Sequence, residues 1–335
     1  MPSSPVTSSP AAPHLVFSSR EHVLGRVNDG RLADRIFSVL LGLCALSVFS
    51  IVCLVFYELL DQSKLSIGQF GWNFFRTSNW DPVAGEFGAL PFIFGTVVSS
   101  FLALLMAVPL GVGVAVFLTD ICPRSLRGVI AFLVELLAAI PSVIYGMWGM
   151  FVLAPLMRSY IEPFLKVHLS WTGLFEGMPY GLGMFPAAVI LAIMIVPFIS
   201  SITREVMLAV PNSQRESVLA LGATRWEMLR IGVIRNARAG IAGGVILALG
   251  RALGETIAVT MLIGNRAEIS KSLLAPGYTM ASVIANEFSE ATENLYLSAL
   301  LEIGLVLFIV TVIVNIAAQI LIWSITRGHS RGAHA

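Results

Sequence analysis

The chain has 335 residues, of which 56% are hydrophobic and 12% charged, against about 25% charged in an ordinary soluble domain. That balance excludes a soluble globular protein. Lys and Arg number 21 and Asp and Glu 20, a net charge of +1, so there is no bulk field to hold nucleic acid or steer an acidic macromolecule.

In chain order, residues 1–30 are rich in Ser, Pro and Arg and predict a disordered tail. The apolar run that follows starts too far from Met1, and runs too long, for a cleaved signal peptide; it reads as a retained anchor. Apolar runs long enough to cross a bilayer, about 20 residues each, fall at 36–60, 91–118, 129–156, 182–203, 240–264 and 296–325. The predicted fold is therefore an all-α polytopic membrane protein of six helices. A membrane domain over 31–326 is followed by a short tail at 327–335.

Basic residues sort by side. Fourteen, among them Arg20, Arg35, Arg124, Arg204, Arg215, Arg238 and Arg327, fall on one side, six on the other, and Arg251 lies inside a span. The positive-inside rule then puts both termini and the 204–239 connection in the cytoplasm.

Within the third run Glu135 lies about two turns from the cytoplasmic end. Pro141, in Ile140-Pro-Ser-Val-Ile-Tyr-Gly146, predicts a kink there. The kink reads either as an ordinary proline bend or, with Glu135 and Ser142 beside it, as a gate element. Between Pro211 and Gly240, Ser213-Gln-Arg-Glu216 and Thr224-Arg-Trp-Glu227 both fit capping boxes. Gly222 falls where a first short helix should stop in the left-handed conformation. The coupling stretch 211–239 reads as helix, glycine turn, helix, suited to a membrane surface or a groove on a partner.

The fifth run holds Gly250-Arg-Ala-Leu-Gly-Glu-Thr256. A charge in mid-membrane costs about 2.5–3.5 kcal/mol on insertion scales, so Arg251 and Glu255 face protein or water. At a spacing of four they share a helix face and pair. The pair reads either as a structural ion pair, with close packing at Gly240-x-x-x-Gly244 and Gly250-x-x-x-Gly254, or as the lining of an anion pathway. Glu302, near the outer end of the last run, reads as interfacial.

All five histidines lie outside the apolar runs, and Cys44, Cys53 and Cys122 form no Cys-x-x-Cys. No metal, cofactor or catalytic residue is expected. G-x-x-x-x-G-K-[ST] is absent, so this chain has no phosphate-cradling loop for ATP; H-E-x-x-H and G-x-S-x-G are also absent, which weighs against an intramembrane hydrolase, and so is T-V-G-Y-G, which weighs against a potassium channel.

Glu216-Ser-Val-Leu-Ala-Leu-Gly222 resembles the EAA loop of ABC-importer permeases. Ser217 and Val218 stand where that family usually has two alanines, and its downstream proline is missing near Gly232–Arg235. Together with Ile140–Gly146 and Gly250–Thr256, followed by Ala258-Val-Thr-Met-Leu-Ile-Gly-Asn265, residues 30–326 resemble the PstC-type permeases of phosphate-specific ABC importers. The resemblance implies a type I permease fold and a transport subunit that is not itself an enzyme. It implies inorganic phosphate as substrate, moved inward by alternating access, with Arg251 and Glu255 as functional residues; Thr256, Glu135 and Ser142 join them as candidates for the pathway by their places in the sequence. The ATPase-coupling residues would be Glu216, Gly222, Ala223, Arg225 and Trp226. The implied partners are a second, PstA-like permease subunit, a PstB-like ATPase dimer and an extracytoplasmic, PstS-like phosphate-binding protein docking on 61–90, 157–181 and 265–295. Two alternatives stay open: a passive channel or ion-coupled transporter using the Arg251–Glu255 pair, and a permease for molybdate or sulfate.

Overall fold

The structure, a computed structural model, describes the backbone of residues 20–327 and the side chains of residues 33–323. Residues 1–19 of the expected tail, and all of the C-terminal tail beyond Arg327, lie outside the described residues. Residues 20–30 are helical and run into the first apolar helix.

Among the described residues eleven helical segments, short 3-10 turns aside, follow one another. They are α1 (Arg20–Gln62), α2 (Lys64–Phe70), α3 (Leu90–Ile121), α4 (Arg124–Ala139), α5 (Ser142–Thr172) and α6 (Met184–Leu208). Then come α7 (Asn212–Ala220), α8 (Arg225–Leu253), α9 (Ile257–Leu262), α10 (Met280–Glu287) and α11 (Asn294–Arg327). Among the described residues the β contacts are two isolated bridges, Asp81 with Glu86 and Gly264 with Gly277. Helices α1, α3, α6, α8 and α11 are long and apolar enough to cross a membrane, and the bent pair α4–α5 is apolar enough to count as a sixth if its two halves form one broken span rather than a re-entrant loop. Residues 1–57 form one unit and 58–335 another. In the first, α1 carries no charged residue from Ile36 to Tyr57 and its side chains there are almost all exposed, as on a lipid-facing helix.

In the second unit α6 is the central helix, packed by α3, α4, α8 and α9. Small residues make that possible, because with lipid as apolar as the side chains it is close backbone approach that holds helices together. Ala103 and Ala107 of α3, Ala187 and Ala192 of α6 and Ala248 and Ala252 of α8 are all buried. A Cβ at Gly240 would lie 2.5 Å from Val206 Cγ1, and one at Gly244 3.0 Å from Ile202 Cγ2. The first small-residue spacing thus packs α8 on α6. The second does not: a Cβ at Gly250 would approach nothing nearer than Asn315 Nδ2 at 3.9 Å.

One end of this unit is closed by an aromatic cluster around Phe74, Phe87, Phe92, Tyr278 and Tyr296. There Trp80 Nε1 and Tyr296 OH both donate to Glu287 Oε2, at 2.8 and 2.7 Å. The other end holds a smaller core of Ala115, Met207, Val210, Leu229, Val233 and Ala237, beneath α7.

Three sequence expectations need correction. The run 129–156 is not one kinked span: α4 ends at Ala139, α5 starts at Ser142, and the two are bent by 92°. Pro141 lacks an N–H and holds Ile140 extended at φ −67°, ψ 129°, and Tyr145 OH donates to the freed Leu137 carbonyl at 2.7 Å. The span expected at 240–264 is instead the end of α8, a break at 254–256, and α9. No strong breaker separates Arg225 from Leu253, so the second half of the hairpin and the crossing are one helix. Ser213 does not cap α7: Pro211, at φ −57° and ψ 140°, takes that position and Ser213 lies one residue inside the helix.

Candidate functional site: the coupling hairpin and the broken helices

The connection between α6 and α8 is built by local rules. Pro211 starts α7, and Gly222, at φ +80°, ends it in the left-handed region that glycine enters freely. Thr224 then starts α8 with a reciprocal capping box: Glu227 N–H donates to Thr224 Oγ1 at 3.3 Å, and Thr224 N–H to Glu227 Oε2 at 2.8 Å. The helix, glycine turn, helix reading holds.

Of the five coupling candidates, Glu216, Gly222, Arg225 and Trp226 are exposed and Ala223 is half-buried. Apolar Leu219, Leu221 and Trp226 are exposed beside them, Leu221 at 88%. A cavity of about 470 Å³, lined by Trp226, Glu227, Arg230, Ile231 and Arg235, opens next to the turn. An apolar, charge-rimmed ridge of this kind fits a groove on a partner better than it fits water.

From α7 only Arg215 and Val218 turn inward. Arg215 Nη1 donates to Asp120 Oδ1 at 2.5 Å and Nη2 to the Met207 carbonyl at 2.9 Å. On the other flank Asn236 Nδ2 donates to Gln214 Oε1 at 2.7 Å and to the Gly232 carbonyl at 2.8 Å. Spacing could not reveal these contacts, since 95 positions separate Asp120 from Arg215.

The pathway candidates are arranged differently from a paired helix face. Arg251 is in the last turn of α8, and its Cζ stands 4.4 Å over the centroid of the Phe198 ring of α6. Its Nε is buried without a partner. Glu255 lies past Gly254, in the break, where its Oε1 accepts from the Ala258 N–H of α9 at 3.5 Å. Among the described residues no ion pair joins Arg251 to Glu255. The expected pairing is corrected: the helix stops between them, so the four-residue spacing no longer places them on one face.

Thr256 is half-buried in the same break, with Oγ1 donating to the Gly254 carbonyl at 3.2 Å. Ser142 is the first residue of α5 and half-buried. The two breaks are brought together, because α9 packs on the first turns of α5. A Cβ at Gly146 would lie 2.6 Å from Met261 Sδ, and one at Gly149 2.6 Å from Leu262 Cδ1. Glu135 does not join them; it is more than half exposed on α4 and pairs with Arg204 Nη1 of α6 at 3.3 Å. Glu302, read as interfacial, is 2% exposed with Oε2 unpartnered, on the face of α11 that also carries Ser298. Ser298 Oγ accepts from the Ser66 N–H of α2 at 3.2 Å.

Residues 89–327 match the family described as binding-protein-dependent transport system inner membrane component. A phosphate transport system permease protein PstC of Mesorhizobium japonicum is 46% identical over 92% of this chain and 95% of its own. One of Xylella fastidiosa is 46% identical over 90% and 94%. Among solved structures, a bacterial ABC transporter involved in the import of the acidic polysaccharide alginate is similar in fold. Its TM-score is 0.57 at 18% identity, covering 88% of this chain and 99% of that one.

Proposed function

Since the chain belongs to the family of binding-protein-dependent transport system inner membrane components, we propose that it is the permease subunit of an ATP-driven importer carrying inorganic phosphate into the cytoplasm. The phosphate assignment rests on relatives 46% identical over about nine-tenths of the chain that bear that name. The ATP-driven part rests on one structural observation: a short helix, α7, exposed along its outer side and tied to three long helices on its inner side.

The basic residues put the hairpin and both termini in the cytoplasm. There α7 and the turn at Gly222 enter a groove of a PstB-like ATPase dimer, with Glu216, Ala223, Arg225 and Trp226 at the contact. A PstA-like second permease completes the membrane unit. A PstS-like binding protein delivers phosphate to the opposite face, onto 61–90, 157–181 and 265–295, where Trp72, Val83 and Trp171 are exposed. Closure of the ATPases moves α7, and rigid rotation of the packed helices alternates the access. The broken helices α4–α5 and α8–α9 provide the polar path. Non-helical backbone at membrane depth is tolerated where it lines a cavity, and Arg251, Thr256 and Ser142 stand at those breaks. Glu255 borders the path, and its charge keeps the anion from resting permanently on Arg251, while Glu135 stands apart, paired with Arg204.

Glu216→Lys is expected to abolish ATP-dependent phosphate uptake while membrane level stays at that of the unaltered chain. Unchanged uptake would contradict docking through α7.

A further inference from the structure

We infer that Asp120 and Arg215 are positioning residues of the coupling step, forming a strut that makes the ends of α3 and α6 follow α7 when the ATPase moves it. The inference rests on the reading of the chain as an ATP-driven permease.

Helix α7 has nine residues, none of them buried, and no side chain caps its start. A helix so short does not hold its own shape or place in water; its contacts to the bundle have to do so. The Arg215 fork supplies two of them at once, one to the α3 end at Asp120 and one to the last turn of α6 at Met207. The anchor on α3 is itself built. A π-helical turn over Phe117–Ile121 ends α3, closed by Cys122 N–H donating to the Phe117 carbonyl at 2.8 Å. Such turns insert a residue and re-aim a side chain. Thr119 Oγ1 stands 2.8 Å from Asp120 Oδ2, its one proton shared between that oxygen and the Ala115 and Val116 carbonyls at 3.0 and 3.2 Å, while the other carboxylate oxygen is on the arginine.

Both side chains are largely out of water, 16% exposed for Arg215 and 15% for Asp120. Desolvating two charges is costly, and a well-packed apolar pair would hold a static joint as well or better. The planar fork adds direction, because it resists sliding and twisting as well as separation. From Asp120 and Met207 the connection runs up α3 and α6, which pack together along the core through Ala103, Ala107 and Ile195. A displacement of α7 is thus delivered to the central helix that carries Phe198, and so to the ring on which Arg251 rests. The Gln214–Asn236 bond gives α8 its own link.

The test uses the complete importer reconstituted in vesicles, reading inorganic phosphate moved per ATP hydrolysed. Permease level and co-purified ATPase are measured on the same samples. Asp120→Asn and Arg215→Gln are each expected to lower phosphate per ATP about tenfold, in line with the loss of a charged hydrogen bond. The double variant is expected to lose no more than either single one. Thr119→Val, which keeps side-chain shape, gives a smaller loss in the same ratio and covers the case in which the charge variants assemble poorly. Three results would overturn the strut: an unchanged ratio in all variants, single losses that multiply in the double, or uptake that falls only as far as permease level falls. A wild-type complex that moves phosphate without ATP would overturn the importer reading itself, a distinct outcome visible before any variant is made.

Discussion

Arg251 rests against an aromatic face instead of a carboxylate. Stacking on Phe198 at 4.4 Å is worth about 0.5–2 kcal/mol. A guanidinium on an aromatic face keeps its N–H donors uncommitted to a carboxylate, as a group meant for a tetrahedral oxyanion needs. Arg251→Gln is therefore expected to cut phosphate uptake about tenfold or more with little change in the amount of protein in the membrane. Equal losses of uptake and protein would assign the residue to packing alone. Phe198→Leu should give a partial loss of uptake, and Phe198→Tyr should restore most of it. The importance of Arg251 was legible in the sequence, because an arginine in an apolar run demands an explanation. Its partner was not, because the four-residue rule assumes an unbroken helix and Gly254 ends this one. Glu302 was misjudged for a related reason: position near a span's end says nothing about what α2 folds over it.

At the scale of elements, prolines and glycines mark the hinges of this chain. Pro123, Pro141 and Pro211 each precede a helix with φ between −55° and −58° and ψ near 140°, the extended geometry proline favours. Only Pro141 falls inside an apolar run, and there it turns an expected kink into a 92° bend. Gly222 serves the opposite end of α7, and any β-branched residue there has to adopt its positive φ. Gly222→Val should cost about 1–2 kcal/mol locally and speed hydrogen exchange in α7, with the core of α6 unaffected; equal exchange in both variants would contradict the turn. Gly240 works by absence of bulk. Gly240→Leu should destabilise the α6–α8 contact by about 1–3 kcal/mol, the usual range for overpacking, seen as earlier thermal unfolding in detergent. The second capping box was readable because its residues are local. The first failed because Pro211 outcompeted Ser213 for the cap.

For the whole molecule, the apolar runs 36–60, 91–118, 182–203 and 296–325 fall on the long helices α1, α3, α6 and α11, since the bilayer fixes how much chain a span needs. How the spans touch does not follow from apolar length. The struts Arg215–Asp120 and Glu135–Arg204 join residues 95 and 69 positions apart, and the adjacency of the two breaks depends on α9 packing against α5. Taken together, α6 is a shared backbone for the α7 hairpin and for the break beside Arg251. It receives α7 through Met207, α8 through Val206 and Ile202, and Arg251 through Phe198. Coupling through one shared helix requires that transport and ATP hydrolysis be one process in the assembled complex. The most direct measurement is phosphate uptake into vesicles holding this chain with its co-purifying partners and binding protein, with and without ATP. Uptake that needs both ATP and the binding protein, against a gradient, is the predicted result. Uptake that proceeds without ATP or any ATPase would contradict it.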